Sequence, residues 1–229
     1  IGADSPDSRY RCAQLFSILT PTTVTVESLE AAELVKLVDN TYRDVTFAFA
    51  NEVAKLCGRL GVSAASVIAA GKLGYPRTNV AMPGPVGGPC LEKDPHILAQ
   101  SAEVLGVDMA ITKAARKTNE AQPADTTGLL LAYTQAERAF SASPRIAVLG
   151  LAFKGVPATD DLRGTMAKPI IEQLKARYPR ATIVGYDPVV SRETARKFFG
   201  IDIVPSLEAA FLHADLVVIA NNHNQFRTM

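Results

Sequence analysis

From Ser28 to Leu60 the chain keeps one rhythm. Apolar residues dominate, polar ones return every three or four positions, and proline is absent. That periodicity predicts a long helix, capped by Ser28 and ending near Gly61. The second half of "LEAAELVKLVDNTYRDVTFAFANEVAKLCGRL" is apolar on more than one side, so it is expected to be buried or shared with another subunit. Ser63 opens a short helix through Ala70, and Gly71 to Pro95 is a Gly/Pro-rich loop, long for one without a function. Helical spacing resumes in "HILAQSAEVLG" and "ITKAARKTNEA". Pro123 then ends that run, and a further helix, "ADTTGLLLAYTQAERAF", leads to the break "SASP" at Ser141 to Pro144.

Beyond Pro144 the pattern changes. Buried strand runs ("RIAVLGLAF", "ATIVGYDP", "IDIV", "DLVVIAN") alternate with helical ones ("MAKPIIEQLKARY", "SRETARKFFG", "SLEAAFLHA"). Such alternation predicts a doubly wound parallel sheet. The expected fold class is therefore α + α/β: an all-helical module followed by a Rossmann-like α/β module. The recurrence of "SLEAA" at Ser28 and Ser206 marks two helix starts, not a repeat.

Composition narrows the function. The chain is 48% hydrophobic and 21% charged with net charge +1, and no basic run exceeds two residues, which argues against nucleic acid as the main partner. Three widely spaced cysteines offer neither a disulfide framework nor a zinc pattern, and the three histidines do not cluster with them. No metal site is read, and a reducing, cytoplasmic compartment is the default. Nothing resembles a signal peptide or membrane span. The opening "IGADSPDSRY" and the closing "LVVIANNHNQFRTM" read as the interior of something longer, so a fragment is expected.

Three constellations carry candidate chemistry. Lys36, Asn40 and Arg43 share one helix face; they form either a solvated stripe or, lodged among Leu34, Val35, Leu37 and Val38, donors to a developing negative charge. Cys90 ends "PGPVGGPC" just before Lys93 and Asp94. It is either a small buried hydrophobe or a nucleophile. The glycines before it would let backbone approach a ligand, and a helix opening at Cys90 would favour the thiolate. The third is "GLAFKG", Gly150 to Gly155, after the first predicted strand. As a dinucleotide fingerprint with Asp187 as ribose acid it fits poorly: Ala152 replaces a glycine and "VPATDDLRG" delays the helix. A structural turn, or a mononucleotide held by the Phe153 ring and the Lys154 ammonium, are the other readings.

The motifs "AAELVKLVDNTYRDVTFAFANE", "PGPVGGPCLEKDP" and "GLAFKGVPATDDLRG" together resemble the nucleotide-sugar 6-dehydrogenase family, whose members act on UDP-glucose, UDP-N-acetylhexosamines and GDP-mannose. The likeness spans essentially the whole chain and is nearest the UDP-N-acetylmannosamine/UDP-N-acetylglucosamine branch. In the loop, Pro89 stands where that branch has histidine, and the loop is a residue shorter. The resemblance implies residues 1–27 as a remnant of an NAD-binding domain, 28–143 as a helical dimerisation domain, and 144–229 as an incomplete UDP-sugar-binding domain. It implies oxidation of a primary alcohol at C6 to a uronate, through a thiohemiacetal and thioester on Cys90. Lys36 and Asn40 would stabilise the oxyanion, and Asp94 would help activate water. Arg77, Pro83, Gly84, Gly87, Gly88, Phe153 and Lys154 would contact the substrate, Arg77 from a partner subunit. Lys93 and Arg163 would contact NAD, whose main site would lie outside this chain, leaving the chain alone inactive. A homodimer through the long helix is implied as well. The rival expectation is a non-catalytic nucleotide-sugar-binding and dimerisation module; another is a dinucleotide domain built on "GLAFKG".

Overall fold

The computed structural model describes residues 1–75 and 77–227. A helical layer comes first in the chain and a four-stranded sheet second. Helix α1 (Pro6–Ser17) is capped by Ser5, with proline in its first turn. Sequence reading assigned no element here, although the cap and the proline are the usual signals. Helix α2 (Leu29–Leu60) runs as expected from the Ser28 cap, whose side chain accepts from the Ala31 amide, to a left-handed Gly61. Helix α3 spans Ala64–Lys72 and α4 spans Asp94–Val104.

Helix α5 corrects one expectation. It runs unbroken over Ala110–Ala136 with Pro123 buried inside it. A proline forfeits one intrahelical hydrogen bond. Packing of α5 against α2, α4 and later α6 along its length outweighs that loss. Thr127 Oγ1 also donates back to the Pro123 carbonyl at 2.6 Å, one turn further along the helix.

The second half is the doubly wound parallel sheet that the alternation predicts. Strands β1 (Arg145–Leu149), β2 (Thr182–Tyr186), β3 (Asp202–Ile203) and β4 (Leu216–Ile219) lie in the order β3-β2-β1-β4, all parallel. Helices α6 (Ala167–Arg177), α7 (Arg192–Phe199) and α8 (Leu207–Phe211) make the crossovers. Period-two alternation along β1 divides the core. Ile146 and Val148 join Ile170, Ile171, Leu174 and Phe199 on one face, whereas Ala147 and Leu149 join Ala210 and Phe226 on the other. The chain order reverses between β1 and β4. In open α/β sheets that switch point is where loops diverge and ligands enter, beyond the carboxyl ends of the strands.

Helix α2 is only half covered. Ala48, Ala50, Asn51 and Cys57 are buried, but Leu34, Val35, Val38, Tyr42, Phe49, Leu56 and Leu60 are exposed. Among the described residues, no helix is long and apolar enough to cross a membrane.

Candidate active site

The first turn of α4 sets up the site. The Cys90 carbonyl accepts the amides of Lys93 (3.2 Å) and Asp94 (2.9 Å), and this turn delivers Asp94 and Pro95 as the first helical residues. The helix therefore opens at Asp94, not at Cys90. Asp94 is wholly buried and collects three donors. Asn40 Nδ2 reaches Oδ2 at 2.7 Å, Lys36 Nζ reaches the same oxygen at 3.1 Å, and Lys93 Nζ reaches Oδ1 at 2.5 Å. Burial pushes the Asp94 carboxyl up, but the hydrogen bonds from Lys93, Lys36 and Asn40 outweigh it and hold it below the usual carboxylate range. The hydrogen bond to Asp94 likewise raises the Lys93 ammonium.

Four predicted residues thus converge: Lys36 and Asn40 from α2, Lys93 and Asp94 from the start of α4. Their spacing of four on α2 aims both donors at one carboxylate oxygen. Lys36 keeps 59% of its side chain exposed, so the ammonium is anchored yet open to a ligand. Cys90 stands at the head of the same turn and is exposed, with Lys93 and Arg163 both within electrostatic reach of its sulfur. An exposed thiol is not a packing residue. Arg163 itself is exposed and forks onto Asp161, with Nη2 to Oδ2 at 2.7 Å.

Beside this cluster a cavity of about 530 Å³ opens at the β1/β4 switch point. Pro83, Gly84 and Gly87 of the loop line it, with Phe153 and Lys154 from the segment after β1, Asn221 and Asn222 after β4, and Arg43 from α2. Arg43 completes the α2 stripe from the cavity side. Lys154 Nζ lies 5.1 Å over the Phe153 ring, a cation–π contact.

Gly88 is packed against a side chain. Its backbone approaches Phe153, not a void: its φ is +99°, and a Cβ there would sit 2.7 Å from the ring. The Gly88 amide donates to the Gly164 carbonyl at 2.7 Å, and a Cβ on Gly164, whose φ is +62°, would sit 2.9 Å from the Gly88 backbone. The glycines therefore lock two loops together. Gly88→Ala is expected to destabilise the chain by about 2 kcal/mol and to displace Phe153. Denaturant unfolding measures the first effect, and loss of ligand-induced stabilisation the second.

Not every predicted residue joins this site. Arg77 is exposed in the segment after α3 and does not line the cavity. Asp187 spends both oxygens on backbone amides: Oδ2 accepts Leu151 (2.7 Å) and Ala152 (3.0 Å), and Oδ1 accepts Val189 (2.8 Å) and Val190 (2.9 Å). It fixes the turn after β1, which leaves no free acceptor for a ribose. Sequence reasoning missed Asn221, Asn222 and a buried set on α2 and α5: Asp44, Asn51, Arg116 and Asn119. The first pair follows a buried strand run directly, which is a readable signal. The spacing of seven between Asp44 and Asn51 is the other.

Residues 30–121 match the model for the central domain of the UDP-glucose/GDP-mannose dehydrogenase family, and residues 147–229 match the model for its UDP binding domain. A UDP-N-acetyl-D-mannosamine dehydrogenase of Pyrococcus horikoshii is 34% identical over all of this chain and 51% of its own length. An NDP-N-acetyl-D-galactosaminuronic acid dehydrogenase of Ralstonia nicotianae is 32% identical, again over all of this chain and 51% of its own. Among solved structures, a UDP-glucose dehydrogenase from Pyrobaculum islandicum superposes with a TM-score of 0.84 at 30% identity, covering 98% of this chain and 51% of that one. The UDP-D-ManNAc dehydrogenase structure from P. horikoshii gives 0.83 at 32% identity, covering 100% and 50%. The chain spans about half the length of the curated relatives it matches.

Proposed function

The chain belongs to the UDP-glucose/GDP-mannose dehydrogenase family, and from that premise we propose that it forms the helical and nucleotide-binding parts of an NAD-dependent nucleotide-sugar 6-dehydrogenase. The substrate class is a UDP-hexose, an N-acetylhexosamine by nearness to the relatives named above. The observation that carries this reading is the buried Asp94 carboxylate holding Lys36 and Asn40 beside an exposed Cys90.

An aldehyde at C6 has no readily donated hydride until a nucleophile adds to it. The Cys90 thiolate forms a carbon–sulfur bond to that carbon, and the carbonyl electron pair moves onto oxygen. Lys36 and Asn40 hold that oxygen as its charge develops, and the Lys36 ammonium can supply its proton. The thiohemiacetal so formed carries a donatable C6 hydride. With NAD bound as acceptor, loss of that hydride and of the hydroxyl proton would leave a thioester. Water adding to it would break the carbon–sulfur bond, return the thiol and leave the uronate. Asp94 has both oxygens engaged and is held ionised, so its assigned work is to orient Lys36 and Asn40 and to balance the charge of Lys36 and Lys93.

The residues present fit the edge of a dinucleotide site. Lys93 and Arg163 are exposed cations flanking Cys90, suited to hold NAD, which supplies the hydride acceptor when bound. The sheet's own turn does not suit a dinucleotide, because Asp187 is committed to backbone. The cavity at the switch point suits the nucleotide, with Phe153 and Lys154 on its wall. The exposed apolar face of α2 suits a second copy of the chain, making a homodimer, and Arg77 would then act across that pair.

Titration distinguishes the readings. UDP or a UDP-sugar is expected to raise the melting temperature of the 229-residue chain. NAD alone would do so only slightly. Phe153→Ala and Lys154→Ala each weaken UDP-sugar binding by about tenfold, roughly one lost contact apiece. Tight NAD binding without UDP binding would support the dinucleotide reading and reject this one.

A further inference from the structure

Two buried residues of α2 and two of α5 form one polar network that ends, at both extremities, on the loop carrying Cys90. At one end Asn51 grips Gly84 twice: its Oδ1 accepts the Gly84 amide at 2.8 Å, and its Nδ2 donates to the Gly84 carbonyl at 3.1 Å. The same Nδ2 donates to Asn119 Oδ1 at 3.1 Å. Asn119 Nδ2 then reaches Asp44, at Oδ1 and at the carbonyl, both at 2.9 Å. At the other end Arg116 Nη1 donates to Asp44 Oδ1 at 2.6 Å and to the Leu91 carbonyl at 3.0 Å. Leu91 is next to Cys90, and Gly84 lines the cavity. Between these two anchors the chain forms neither helix nor strand.

Stability is a poor reason for this arrangement. All four residues are at most 4% exposed, and Asp44 Oδ2 and Arg116 Nε lack a partner among the described residues. Burial raises the Asp44 carboxyl even against the Arg116 charge. Apolar residues of similar volume often hold two helices together as well as a buried ion pair, or better. What apolar residues cannot do is grip a carbonyl and an amide of a passing loop at fixed separation.

We infer that Arg116, locked by Asp44, Asn119 and Asn51, is a positioning residue that sets the place of Cys90 relative to the nucleotide cavity. The inference rests on the reading that Cys90 and the cavity belong to one site, but its test does not. Hydrogen exchange and Cys90 alkylation are measured on the 229-residue chain and on Asp44→Leu/Arg116→Met. The amides of Gly88, Glu92, Lys93 and Asp94, each hydrogen-bonded around the turn, are expected to exchange about tenfold faster in the double variant, while those of β1 and β2 keep their rates. The alkylation rate of Cys90 changes by about fivefold or more. Arg116→Lys, which retains one charged donor for Leu91, brings both readouts back toward the unaltered chain and serves alone if the double variant does not fold. Unchanged turn amides in a folded double variant would overturn the inference. So would readouts for Arg116→Lys no closer to the unaltered chain than those of the double variant. Failure of UDP-sugars to protect Cys90 from alkylation, with the exchange pattern as expected, would instead count against the proposed function.

Discussion

Replacing Cys90 by serine in a full-length, NAD-binding version of the protein is expected to lower uronate formation by at least about a thousandfold, while UDP-sugar affinity stays within about threefold. The expectation follows from where Cys90 sits. It is exposed at the head of the α4 turn and lines neither hydrophobic core cluster, so its removal leaves packing intact. The cavity wall is made by other residues, so binding survives. A serine hydroxyl at neutral pH is a far weaker nucleophile than a thiolate, and the aldehyde then has nothing to add to it. Steady-state assays with NADH absorbance, paired with calorimetric titration of UDP-sugar, read the two quantities separately. Unchanged turnover would favour the non-catalytic module.

Asp94→Ala is expected to combine a stability loss with a catalytic one. It removes the acceptor shared by Lys36, Asn40 and Lys93 and leaves three donors clustered around an empty position. Breaking a fully buried pair costs about 3–5 kcal/mol, but both lysines are more than half exposed and partly rehydrate, so about 2–3 kcal/mol is expected here. Turnover falls at least about a hundredfold, because Lys36 and Asn40 lose their common anchor and with it their aim at the oxyanion. The acid dependence carries a sign. Asp94 is held below the usual range, so its contribution is fully present above the ordinary carboxylate pKa of about 4 and is lost as pH falls through its depressed folded value. Asp44, raised mainly by burial, runs the other way, its ionisation costing stability as pH rises. Melting curves at several acid pH values should therefore show Asp94→Asn losing less stability on acidification than the unaltered chain.

Local signals carried much of the fold. The Ser28 cap and the glycine at 61 bound α2 correctly, and the alternation after Pro144 foretold all four strands. Continuity of α5 through Pro123 was illegible because tertiary packing, not propensity, decides it. The site divides along the same line. Spacing alone placed Lys36 and Asn40 on one face, and composition drew attention to Cys90. Their convergence on Asp94, 54 residues from Asn40, depends on how two helices pack. The Asp44–Arg116 pair spans 72 residues and hides among residues that read as ordinary helix surface. Gly88 was legible as a place of close approach, but only the fold brings Phe153 against it.

The most direct test needs no second substrate. The 229-residue chain is mixed with a UDP-hexose 6-aldehyde carrying carbon-13 at C6 and observed by NMR. A tetrahedral, sulfur-bound carbon signal that is present with the unaltered chain, weakened by Lys36→Ala and absent with Cys90→Ser is the predicted result. A spectrum containing only free aldehyde and its hydrate, from a chain that demonstrably binds the nucleotide sugar, would contradict it.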